Sequence, residues 1–101
     1  MSSPAPDDLP IEREEGETKG RYIVRLGGAE AEMTYSRLGG KTIIIDHTGV
    51  PDAMRGRNVG QALVERAVMD ARAEGRQIIP LCPYAKAQIE KHPEWQDVLK
   101  H

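Results

Sequence analysis

Val50-Pro51-Asp52-Ala53-Met54-Arg55-Gly56-Arg57-Asn58-Val59-Gly60-Gln61-Ala62-Leu63 is the stretch on which the fold turns. Behind it lies a β-prone run, Lys41-Thr42-Ile43-Ile44-Ile45-Asp46-His47-Thr48, and ahead of it residues 59–74 carry helical periodicity. Gly60, Leu63, Val64, Ala67, Val68 and Ala71 form one apolar stripe, and Gly75 is placed to end the helix. The quoted segment is therefore a strand-to-helix turn. The first N–H groups of a helix have no partner within it and the dipole there is positive, which suits a phosphate or pyrophosphate. Gly56 and Gly60 let the backbone approach such a group, Arg55 and Arg57 add charge, and Asn58 accepts a left-handed conformation at modest cost.

Upstream, Arg21 to Leu26 is β-prone, and Gly27-Gly28 supplies a two-residue hairpin turn. Residues 29–36 alternate apolar and polar as a half-buried strand does, and Gly39-Gly40 makes a second turn into the strand at 41–49. Downstream of the helix, residues 77–82 read as a short strand, its Pro80 implying an edge or a break in pairing. Residues 85–92 form a short last helix stopped by Pro93. The order is β-β-β-α-β-α, an α/β fold with a mixed sheet in which the long helix crosses right-handedly between the last two strands.

Composition sets the bounds. A chain of 101 residues, 39% hydrophobic and without Phe, buries one modest core and has no room for two domains of usual size. Cys82 is the sole cysteine, so an intrachain disulfide framework is excluded. The longest apolar run, Ile43-Ile44-Ile45, is too short for a membrane span, and the N-terminus lacks the features of a secretory signal. A cytoplasmic setting is the expectation, with no metal site. Residues 1–19 hold six acids against two bases, are rich in Pro, and are expected to form a disordered acidic leader to an ordered domain at 20–101. That leaves the body 12 bases and 10 acids, without the strong basic stripe of a nucleic-acid binder.

Two nucleotide motifs are set aside. Gly40-Lys41-Thr42 lacks the preceding P-loop glycine, because Tyr35 stands in its place, and a strand follows it. Gly56 and Gly60 do not have the dinucleotide-fingerprint spacing. What Arg55-x-x-Asn58-x-Gly60 does resemble is the pyrophosphate loop of the GCN5-related N-acetyltransferases, Arg/Gln-x-x-Gly-x-Gly/Ala. His47-Thr48-Gly49-Val50-Pro51 before it, Pro80-Leu81-Cys82-Pro83-Tyr84 after the next strand, and His92-Pro93-Glu94-Trp95 extend the resemblance over roughly residues 20–100. Together they are similar to the small single-domain version of that family. Asn58 departs from the usual first glycine, and Gly49 stands where the family usually has Glu.

The resemblance implies acetyl-CoA as cofactor, with the parallel strands at 41–49 and 77–82 splayed and pantetheine inserted between them. It implies that the backbone of Thr48, Gly49 and Val50 faces the pantetheine, and that the amides of Arg55, Gly56, Arg57, Asn58, Val59 and Gly60 take the pyrophosphate. Three side chains are candidates for the chemistry. Cys82 is either a nucleophile, if its pKa falls below the free thiol value, or a small buried hydrophobe lining the site. Tyr84 is either a proton donor to the leaving thiolate or a packing residue with a wet hydroxyl. His47 is a base, a contact to pantetheine or substrate, or a hydrogen-bonded strand histidine. Strict alternation puts its side chain opposite to that of Asp46.

Three functions follow. The first is an acetyl-CoA-dependent N-acetyltransferase acting on an accessible amine of a protein or small molecule. The second is a non-catalytic acetyl-CoA or CoA binding module, a reading favoured by the absence of a carboxylate at Gly49. The third is a small protein-interaction domain, against which the two arginines and two glycines of the turn argue. The fuller members of the family wall the acceptor site with extra N-terminal helices, which are not expected here, where the sheet is read as starting near Arg21.

Overall fold

Gly27 and Gly28 take φ of 55° and 85°, both positive as a type I′ turn demands, and Gly39 takes 69° at the next reversal. These turns fold the chain's first half into a meander. The computed structural model describes residues 10–54 and 58–100. It contains β1 (Ile11–Glu15), β2 (Lys19–Leu26), β3 (Ala29–Leu38), β4 (Thr42–Gly49) and β5 (Gln77–Pro80). They form one sheet in that order, antiparallel through β4 and parallel between β4 and β5. The crossover helix α1 (Val59–Glu74) ends at Gly75, whose φ of 70° and N–H bonds back to the last turn close the helix. A second helix, α2 (Pro83–Lys91), and a 3-10 segment, Pro93–Val98, complete the chain. The His92 and Trp95 rings stack there, with centroids 3.9 Å apart.

The helices cover one face of the sheet. Tyr22 and Val24 of β2, Ala31, Met33 and Tyr35 of β3, and Ile43 and Ile45 of β4 meet Leu63, Val64, Ala67, Val68 and Ala71 of α1 in a single buried cluster. The other face is bare of helices. Arg21 pairs there with Glu14 at 2.8 Å and Glu32 at 2.7 Å, and Arg25 with Glu12 at 3.1 Å and Glu30 at 3.2 Å. Ile23, between the two arginines on this face, is fully buried.

The structure corrects three expectations. Residues 11–19 do not form a disordered leader: Ile11–Glu15 pairs with β2 from Ile11↔Val24 to Glu15↔Gly20, which adds a strand to the expected order. Residues 1–9 of that leader lie outside the described residues. The last strand stops at Pro80, and α2 begins at Pro83 rather than Ala85, with a proline in its first turn where no N–H is needed.

The reason for β1 is charge in three dimensions. Arg13 donates to Glu74 at 2.7 Å and Asp70 at 3.3 Å, while Arg76 donates to Glu15 at 2.8 Å. Tyr35 Oη donates to Glu15 at 2.6 Å, and Tyr22 Oη to Asp70 at 2.8 Å. Hydrogen bonding from Arg76 holds the Glu15 carboxyl well below its ordinary range, and hydrogen bonding from Arg13 lowers that of Glu74. A carboxylate whose folded pKa is depressed stabilises the fold above its unfolded pKa, and that contribution is lost as pH falls through the folded value. The thermal midpoint is therefore expected to be level from neutral pH down to about 5 and to drop below about pH 4. Glu15→Gln should flatten that drop in a pH series of melts; an unchanged acid slope would show that the pairs contribute nothing.

Candidate functional site

The site is built where β4 and β5 part. Their parallel pairing runs from Thr42↔Gln77 to Ile45↔Pro80 and then ends. The carbonyl of Ile45 accepts from the N–H groups of both Leu81 (3.1 Å) and Cys82 (3.0 Å), which turns the chain away from β4 and into α2. From Asp46 to Gly49, β4 continues with β3 on one side and no β5 partner on the other, so a free strand edge lies along the opening.

A β-bulge sets which side chains enter. The β3–β4 register passes from Tyr35↔Ile45 to Thr34↔His47, which makes Asp46 the extra residue. Its Oδ2 accepts from Ser36 Oγ at 2.9 Å on the helix-free face. His47, opposite Thr34, stands on that same face, as does Gly49 opposite Glu32. This corrects the strict alternation, because the bulge puts Asp46 and His47 together. The space a Gly49 side chain would fill borders the His47 ring: a Cβ there would lie 3.3 Å from Nε2.

Thr48, opposite Met33, faces the helices. Cys82 Sγ donates to Thr48 Oγ1 at 3.4 Å across the opening, and the thiol is buried. Tyr84, in the first turn of α2, is 39% exposed. Its hydroxyl lies against Gly60 in the first turn of α1, where a Cβ would come within 2.5 Å of Oη. Burial, followed by the electrostatic influence of Cys82, pushes the Tyr84 hydroxyl pKa upward, so it keeps its proton at neutral pH. Thr48, Cys82, Tyr84 and Gly60 thus line one side of the opening, and His47 and Asp46 lie on the other. Sequence reading singled out five of these six residues but did not bring them together; Asp46 was missed because no local signal marks a bulge.

The start of α1 presents backbone N–H groups at its N-terminus. Asn58 takes φ 58° and ψ 29°, the left-handed conformation expected of it, and its side chain makes no capping hydrogen bond. The first intrahelical bond, from Ala62 N–H to the Asn58 carbonyl at 2.9 Å, leaves the amides before it as donors. Gly60 and Val59 are buried. Arg55, Gly56 and Arg57, the other expected members of the turn, lie outside the described residues. Among the described residues no group of three metal-ligating side chains occurs, and no helix is long and apolar enough to cross a membrane.

The geometry has counterparts. A family model described as GCN5-related N-acetyl-transferase matches residues 21–98. Protein NATD1 of Xenopus tropicalis is 32% identical over 75 residues, covering 72% of this chain and 69% of that protein. Protein NATD1 of Homo sapiens is 29% identical over 86 residues, covering 83% and 76%. The NMR solution structure of a GCN5-like candidate N-acetyltransferase from Staphylococcus aureus superposes with a TM-score of 0.66 at 38% identity, covering 88% of this chain and 87% of that one.

Proposed function

Because the chain belongs to the GCN5-related N-acetyltransferase family, we propose that it is a cytoplasmic enzyme that moves an acetyl group from acetyl-CoA to an accessible amine. The observation that carries this reading is the parting of β4 and β5 after Ile45, beside the uncapped start of α1. Acetyl-CoA supplies the acetyl group as an activated thioester when bound. The free edge at Thr48, Gly49 and Val50 offers backbone partners to its amide-bearing arm, and the amides of Asn58, Val59 and Gly60 suit its pyrophosphate. Arg55, Gly56 and Arg57 continue that turn in the sequence.

In the transfer a nitrogen–carbon bond forms and the carbon–sulfur bond breaks. One proton leaves the amine and another reaches the departing sulfur. On the helix-free face His47 is the group to take the first. On the helical face Tyr84, its pKa raised, is the group to give the second. Cys82 lines the site: its thiol is buried and donates to Thr48, and His47 stands on the opposite face of the sheet.

Acetyl-CoA titrated into isotope-labelled protein is expected to shift the amides of Thr48–Val50 and Asn58–Gly60. No shift at either stretch would sink the reading and leave the interaction domain. Shifts without acetylation of any amine would indicate a binding module, the reading that Gly49 favours by offering no side chain at the end of β4. After incubation with acetyl-CoA, mass spectrometry should find Cys82 unmodified. An acetyl adduct that disappears in Cys82→Ala would route the transfer through the thiol.

A further inference from the structure

Asp46 differs from the carboxylates that share its face of the sheet. Glu12 and Glu30 are paired with Arg25, and Glu14 and Glu32 with Arg21. Asp46 accepts one hydrogen bond, from the uncharged Ser36, and makes no ion pair among the described residues. Its place is also singular. It is the extra residue of the bulge and the first residue of β4 beyond the last pair with β5, so its carboxylate stands at the apex of the opening.

An open groove of about 520 Å³ runs from this point across the helix-free face, lined by Asp46, Ser36, Thr34, Arg21 and Lys19 among others. The Arg21 guanidinium is taken up by Glu14 and Glu32, and Lys19 makes no ion pair with Asp46. Of the side chains on the parted segment of β4 that face this way, Asp46 is anionic and His47 is its neighbour, while Gly49 contributes none. The groove therefore presents, at its end by the opening, one unshared carboxylate beside the group assigned to remove a proton.

We propose that Asp46 selects the acceptor: its carboxylate holds the ammonium group of a cationic amine, so that the preferred substrates are polyamines or lysine-like amines rather than arylamines, which are uncharged at neutral pH. This rests on the acetyl-transfer reading above and assigns its substrate class. The acceptor docks as an ammonium against Asp46 and passes a proton to a ring nitrogen of His47. The imidazolium, held beside the Asp46 carboxylate, gives that proton to solvent. The neutral amine then attacks, His47 takes the second proton as the nitrogen–carbon bond forms, and Tyr84 protonates the departing sulfur. Asp46 is thus a recognition residue that also stabilises the charge His47 acquires.

Spermidine titrated into isotope-labelled protein is expected to shift the amides of Ser36, Asp46 and His47. Affinity should weaken about fivefold in Asp46→Asn, survive in Asp46→Glu, and fall as ionic strength rises. With acetyl-CoA present, the ratio of kcat/KM for spermidine to that for p-anisidine should drop about fivefold in Asp46→Asn, mostly through KM. Shifts gathered at Glu12, Glu14 and Glu30 instead, or equal spermidine affinity in wild type and Asp46→Asn, would overturn the proposal. An acetyl-CoA titration that leaves Asn58–Gly60 unmoved would remove the transfer reading by itself, while the spermidine titration still decides the role of Asp46.

Discussion

Tyr84→Phe is expected to lower kcat by about a hundredfold or more, the usual contribution of a positioned proton donor. Its affinity for acetyl-CoA should change by less than tenfold, since only one neutral hydrogen-bonding group is removed. The hydroxyl lies against Gly60 in the first turn of α1, on the same side of the opening as Cys82. There a donor can meet sulfur as it leaves. Its raised pKa means that the protonated, donating form persists into alkaline solution, so wild-type kcat should not fall on its account until pH exceeds the ordinary tyrosine value of about 10. Steady-state rates and calorimetric donor affinities on the same protein samples check this. A Phe variant with full kcat would reduce Tyr84 to a packing residue.

The second large effect is on stability. Gly20 of β2 pairs with Tyr35 of β3, and a Cβ on Gly20 would overlap Cζ and Oη of that ring. The ring cannot swing aside: Tyr35 is 1% exposed, and its hydroxyl donates to Glu15 while accepting from Arg13 Nε at 3.2 Å. Gly20→Ala is therefore expected to cost about 1–3 kcal/mol by overpacking and to lower the thermal midpoint by roughly 5–20 °C. It should also speed hydrogen exchange in β1, because the same hydroxyl holds Glu15. Gly40→Ala is the control, since nothing lies within 4 Å of a Cβ there and its φ is not positive. Equal melting of the two variants would refute the account.

What could be read from the sequence was what neighbouring residues decide. The left-handed Asn58, the left-handed Gly75, the limits of α1 and the glycine hairpin are all matters of local backbone chemistry, and each stands where the residue types put it. The site's members were legible one by one for the same reason. Their meeting was not, because Thr48 reaches Cys82 across 34 residues of chain and Tyr84 reaches Gly60 from the next helix. The pairing of His47 with Asp46 on one face depends on a bulge, and a bulge leaves no mark in residue type. β1 escaped notice because its acids look unneutralised in sequence, while Asp70, Glu74 and Arg76, which complete its network with Arg13 and Glu15, lie far along the chain. A clue was present: Ile11, Arg13 and Glu15 alternate as a strand does, with the apolar member partly buried against the core.

That network has a consequence for how the molecule is made. Arg13 and Glu74 are 61 positions apart, as are Glu15 and Arg76. During synthesis β1 leaves the ribosome before the other strands among the described residues, yet the side chains that clasp it emerge 61 positions later. The hairpin with β2 can close early, but the clasp must wait for α1 to be laid across the sheet. The earliest of the described strands is thus secured only after α1 has crossed the sheet, just ahead of β5 and α2.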